Sequence, residues 1–94
     1  MRRIKLTVAY DGTDYCGWQI QPNGITVEEV LNKALSDLTK ETVKVIGASR
    51  TDAGVHARGN VAVFDTKSPI PPERIAYAVN ALLPDDIEIG RAHV

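Results

Sequence analysis

The apolar residues of this chain change period as the sequence advances, and that change restricts the fold more than any other feature. From Arg3 to Tyr10, Ile4, Leu6, Val8 and Tyr10 alternate with Lys5, Thr7 and Ala9. Successive side chains of a strand point to opposite faces, so the alternation predicts a half-buried strand. After Val27 the period lengthens. Val27, Val30, Leu31, Ala34, Leu35 and Leu38 recur three and four positions apart, which puts them on one stripe of a helix. Thr26-Val27-Glu28-Glu29 precedes that stripe as a capping box, in which the threonine hydroxyl accepts from the amide three residues on. The helix is expected to stop near Lys40.

A short β-branched run, Val43 to Ser49, predicts a second strand, and Asn60 to Thr66 a third. Ser68, Pro69, Pro71 and Pro72 then punctuate the chain, and proline suits the first turn of a helix. Ile75, Val79, Leu82 and Leu83 give a second apolar stripe ending before Pro84, and Ile87 to Val94 reads as a fourth strand. Two segments rich in turn residues remain, Asp11 to Gly24 and Arg50 to Gly59. The order β-α-β-β-α-β predicts an α+β, ferredoxin-like fold: one antiparallel sheet with both helices on one face. Ninety-four residues suit one such domain.

Composition excludes some classes. No apolar run approaches the roughly 20 residues that span a bilayer, and the basic start leads into an alternating strand, unlike a signal peptide. The single cysteine, Cys16, has no internal partner, which fits a reducing cytoplasm. Net charge is −1, so the balance of charge alone does not mark a nucleic-acid binder. Arg2, Arg3, Lys5, Lys44, Arg50 and Arg58 fall on or beside the strands and their connecting loop, whereas most acids fall on the helices and near the end.

The densest chemistry lies in Gly47-Ala48-Ser49-Arg50-Thr51-Asp52-Ala53-Gly54-Val55-His56-Ala57. Loops held by a rigid sheet are favoured places for catalytic groups. A carboxylate at Asp52 offers a nucleophile or base, and an arginine two residues away holds it ionised or engages a phosphate. The competing reading is a plain Asp-Ala-Gly turn. A metal site is not expected: Asp52 and His56 are four apart across Gly54, and no cysteine or second acidic cluster completes a ligand set. The second dense stretch runs from Tyr10 to Gln21. Tyr15 and Trp18 are rings on a loop, suited to stacking on a base, and Gln19 and Gln21 offer amides. Burial of Trp18 as a plug at the end of the core is the alternative.

Tyr10-Asp11-Gly12 with Gly17-Trp18-Gln19, a capped helix, and then the block from Gly47 to Ala57 resemble the TruA family of tRNA pseudouridine synthases. The resemblance runs from Arg3 to Val94, and its most specific element is Arg50-Thr51-Asp52 followed by Gly54-Val55-His56. It implies an enzyme that isomerises uridine to pseudouridine in the anticodon stem-loop of tRNA, without cofactor or metal, as a cytoplasmic homodimer. It places the catalytic aspartate on Asp52 and the base-displacing arginine on Arg50, with weaker RNA-contact roles for His56, Arg58, Trp18 and Gln19. Whether the aspartate attacks C1′, attacks C6 or removes a sugar proton stays open. Family members are much longer. Their second half supplies a tyrosine that stacks on the uracil and a basic group facing the aspartate. Residues 1–94 are therefore expected to be an N-terminal catalytic-Asp domain, inactive without that half. Two other readings compete. A non-catalytic RNA-binding module would share the topology, but Asn60 and Ala62 stand where its stacking aromatics belong. A small-molecule-sensing domain would leave the Arg50–Asp52 block unexplained.

Overall fold

The structure is a computed structural model that describes residues 1–22, 24–47, 54 and 56–94. Its elements are β1 (Arg2–Tyr10), a 3₁₀ turn (Gly12–Asp14), α1 (Val27–Thr39), β2 (Ile46–Gly47), β3 (Ala57–Thr66), α2 (Pro72–Leu82) and β4 (Ile87–His93). The four strands form one antiparallel sheet in the order β2-β3-β1-β4. This is the expected ferredoxin-like arrangement.

Alternation decides which face of the sheet is covered. Ile4, Leu6, Val8 and Tyr10 of β1 are buried, as are Ala62 and Phe64 of β3 and Ile87 and Ile89 of β4. They form one core with Val27, Leu31, Ala34 and Leu35 of α1 and with Ile75 and Val79 of α2. Register makes the pattern consistent between strands: Ile4 stands opposite Phe64 and Leu6 opposite Ala62, whereas Arg3 faces Asp65 and Lys5 faces Val63 on the open side. Arg3 and Asp65 form an exposed ion pair at 2.9 Å.

The helices begin differently. The Thr26 hydroxyl accepts from the amide of Glu29 at 3.3 Å, as the capping box predicts. The helix α2 starts at a proline and has no side-chain cap. The α1 C-cap is Lys40 in the left-handed region, at φ 60°, a conformation that costs a non-glycine residue roughly 1–2 kcal/mol.

Two strand starts differ from the sequence expectation. The second strand was expected from Val43 to Ser49, yet among the described residues ladder pairing covers only Ile46 and Gly47, opposite Val63 and Ala62. Val43 and Val45 are buried, but their amides donate to α1: Val43 to Ser36 Oγ at 2.9 Å and Val45 to Asn32 Oδ1 at 2.8 Å. Polar side chains on the helix satisfy these donors in place of a neighbouring strand. Ala48 and Ser49 lie outside the described residues. The third strand begins three positions earlier than predicted, at Ala57, where its pairing with β1 shifts between Val8–Asn60 and Tyr10–Ala57. Such bulges re-aim the chain at sheet rims, and here the shift falls where β3 leaves the loop.

Candidate functional site

The connection from Tyr10 to α1 is long, and its own hydrogen bonds shape it. Asp11 caps the 3₁₀ turn: its Oδ1 accepts from the Thr13 amide at 3.0 Å and from the Thr13 hydroxyl at 2.5 Å. Those two bonds, the largest influences, hold the Asp11 carboxyl below its usual pKa, with a smaller contribution from His56. The Tyr15 amide donates to Gly12 O at 3.0 Å. Downstream, Val27 donates to Gly17 O at 3.1 Å and Glu28 to Trp18 O at 3.0 Å, so residues 17 and 18 are fastened to the first turn of α1. Gly17 occupies the left-handed region at φ 83°, which a glycine adopts at no steric cost.

Both rings proposed for base stacking turn inward. Trp18 is 2% exposed and Tyr15 8%, so neither presents an open face to a base. Trp18 packs beside Tyr10 with ring centroids 6.0 Å apart and plugs the end of the core. Its indole also lies against Gly47: a Cβ on Gly47 would stand 2.5 Å from Trp18 Cε2, inside van der Waals contact. The Tyr15 hydroxyl donates to Asp86 Oδ1 at 2.6 Å. Burial and then this bond push the phenol well above its ordinary pKa. The Asp86 carbonyl in turn accepts from the Asp11 amide at 2.9 Å.

Arg50 and Asp52, the residues assigned the chemistry, lie outside the described residues, as do Ala48, Ser49, Thr51, Ala53 and Val55. Their described neighbours in sequence all bear on the 11–18 connection. Gly47 abuts Trp18. The Gly54 amide donates to Tyr15 O at 3.1 Å, and Gly54 has φ 78°, a conformation suited to glycine. Nδ1 of His56 accepts from the Gly12 amide at 3.0 Å and lies 3.1 Å from Asp11 Oδ1. In the Gly12 contact Nδ1 serves as the acceptor. These contacts tie His56 to the start of the 3₁₀ turn.

Arg58 is exposed at the start of β3 and lines an open cleft of about 410 Å³ with Tyr10, Asp11, His56 and Glu88. Gln19 is exposed beside a second depression of about 230 Å³, lined also by Trp18, Glu28 and Ile46. The Gln21 amide turns back to the Cys16 carbonyl. The open face of the sheet carries none of the five aromatic residues: Tyr10, Tyr15, Trp18 and Phe64 are buried and Tyr77 is on α2. It therefore lacks the stacking platform of an RNA-recognition module. The sequence reading singled out Trp18 and His56 but missed Asp86 and the part Gly47 plays. An aspartate just after Pro84 carries no motif, and a close ring–glycine contact between residues 18 and 47 has no local signature.

A family model described as tRNA pseudouridine synthase matches residues 6–93. A tRNA pseudouridine synthase A of Ruminiclostridium cellulolyticum is 62% identical over 89 residues, covering 95% of this chain and 36% of that protein. Those of Exiguobacterium sibiricum and of a Thermoanaerobacter species are 57% and 54% identical, covering 95% and 98% of this chain. The chain spans 36–38% of the length of these relatives. With nearly every residue inside the matched region, the chain belongs to the tRNA pseudouridine synthase family.

Proposed function

We propose that the full-length protein carrying this chain isomerises uridine to pseudouridine in the anticodon stem-loop of tRNA, with Asp52 as the catalytic carboxylate. Family membership supports the reaction class. The observation that carries the assignment of the site is the convergence of Gly47, Gly54 and His56 on one connection, because these residues bracket Arg50 and Asp52 in sequence. In the isomerisation the N1–C1′ bond breaks and a C5–C1′ bond forms. C5 loses a proton and N1 gains one, so atoms and electrons balance without a cofactor. The target base has to leave the stack before a side chain reaches it. A guanidinium at Arg50 suits the vacated space, stacking while it pairs with phosphate. Asp52 supplies nucleophilic or base chemistry that an amide lacks. Arg58 and Gln19, both exposed, are proposed to contact RNA.

The working enzyme is proposed to be a cytoplasmic homodimer. The 94 residues alone are proposed to be inactive, because the ring that stacks on the uracil and the basic group facing Asp52 belong, by resemblance, to a further part of the family's chain. A catalytic group without its opposite wall loses both orientation and water exclusion. The test is tritium release from tRNA labelled at uracil C5. The full-length protein should release tritium, and Asp52→Asn should lower the rate by at least about 10²-fold with tRNA binding retained. Wild-type turnover by Asp52→Asn would overturn the assignment, and turnover by residues 1–94 alone would overturn the need for a second wall.

A further inference from the structure

We propose that Tyr15 is a positioning residue for the reaction: its carbonyl holds the chain two residues beyond Asp52, and its hydroxyl, anchored on Asp86, fixes where that carbonyl stands. The inference rests on the assignment of Asp52 as the catalytic carboxylate. The contacts form a strut from the start of β4 to the catalytic loop. Asp86 is bound to the connection twice, through Oδ1 to the Tyr15 hydroxyl at 2.6 Å and through its carbonyl to the Asp11 amide at 2.9 Å. Tyr15 is bound three times, by that hydroxyl, by its amide to Gly12 O at 3.0 Å, and by its carbonyl to the Gly54 amide at 3.1 Å.

The phenol is far from idle packing. A ring alone would fill the same space, yet the chain brings the hydroxyl and a carboxylate into a part-buried, charge-assisted bond, roughly twice as strong as a neutral one. Its effect is local. Removing the hydroxyl leaves the core intact but frees the Tyr15 carbonyl to shift along with the Gly54 amide it holds. A displacement of about 1 Å at a catalytic group costs on the order of 10²-fold in rate. His56 secures the same stretch from its far side through Gly12, so the strut acts against a fixed end.

The experiment uses the full-length protein, with tritium release measured as kcat and as KM for tRNA. Tyr15→Phe is expected to lower kcat by about 10- to 100-fold, with KM unchanged within about twofold because Tyr15 does not face RNA. Asp86→Ala should give the same split with the tyrosine intact, which keeps the test available if Tyr15→Phe is poorly folded. Asp86→Asn, which retains an oxygen acceptor for the hydroxyl, should recover most of the rate. The double variant Tyr15→Phe/Asp86→Ala should be no slower than either single one, as expected for two groups in one contact. Wild-type kcat in both Tyr15→Phe and Asp86→Ala, or a loss confined to KM, would overturn the inference. Asp52→Asn is run in parallel. If it is inactive while Tyr15→Phe and Asp86→Ala are normal, the positioning role alone fails; if it is active, the functional assignment fails first.

Discussion

The fold passes from strand to helix twice, and the two connections put their residues to different uses. Between β3 and α2 the chain needs only residues 67–71. There Ser68 and Ile70 present carbonyls to the Arg2 guanidinium, and Pro71 and Pro72 set the helix start. Between β1 and α1 it spends residues 11–26. That longer path buries two rings, turns a 3₁₀ helix and receives Gly47, Gly54 and His56 from the other side of the β2–β3 loop. Topology asks the same of both connections, namely a return across the sheet. Extra length in the first is therefore unnecessary for the fold and available for holding a loop. A connection longer than its span needs, with two buried rings and its own hydrogen bonds, is a place to look for function.

The largest test of this contrast is Trp18→Ala. Truncating a fully buried tryptophan should destabilise the 94-residue chain by about 3–5 kcal/mol, read by chemical denaturation. Ile70→Ala in the short connection, partly buried at the edge of the core, should cost clearly less. Equal losses would mean that the two connections contribute alike and that Trp18 is no special plug.

A smaller effect is expected from Gly47→Ala. The new methyl would overlap the Trp18 indole, and forced overpacking costs about 1–3 kcal/mol. Gly90→Ala on β4 is the control, since its Cβ would meet nothing nearer than Thr7 O at 4.0 Å, and it should stay within about 0.5 kcal/mol of wild type. If both glycines behave alike, the ring–glycine contact that anchors the near side of the loop is not formed in solution.

The smallest effect separates the connections by pH. Tyr15 has its pKa raised in the fold by burial and Asp86, so the folded state holds the phenol proton more tightly than the unfolded chain does. Stability from this group is present below the ordinary tyrosine value near 10 and declines as pH rises above it. Glu41 in the segment after α1 is the opposite case. The Thr66 hydroxyl and then the Lys67 amide lower its pKa, so its contribution is present above the ordinary carboxylate value and is lost as pH falls through the lowered one. Asp11, held down mainly by Thr13, adds to that acid side. Tyr15→Phe should flatten the alkaline limb of a stability–pH curve and leave the acid limb in place. An unchanged alkaline limb would remove the Tyr15–Asp86 bond from the list of contacts that matter.

Much of this molecule was determined by sequence alone, and for a local reason. Alternation in Arg3–Tyr10, the three-and-four spacing after Val27 and the Thr26 cap are properties of neighbouring residues, so element order, the covered face of the sheet and the helix starts follow from them. The chemistry-bearing block around Arg50 and Asp52, and the family it resembles, are also legible as a linear pattern. Tertiary structure decided the rest. Whether Trp18 and Tyr15 face RNA or the core depends on where the 11–18 connection lies against α1, Gly47 and Asp86, contacts made across as many as 71 positions. Where the β2 ladder starts was likewise decided by Asn32 and Ser36, whose side chains take amides that a strand would have used. Periodicity records which side of an element is apolar. It carries no term for which distant polar group will satisfy a given donor, and in this chain those distant bonds hold both ends of the loop that bears Asp52.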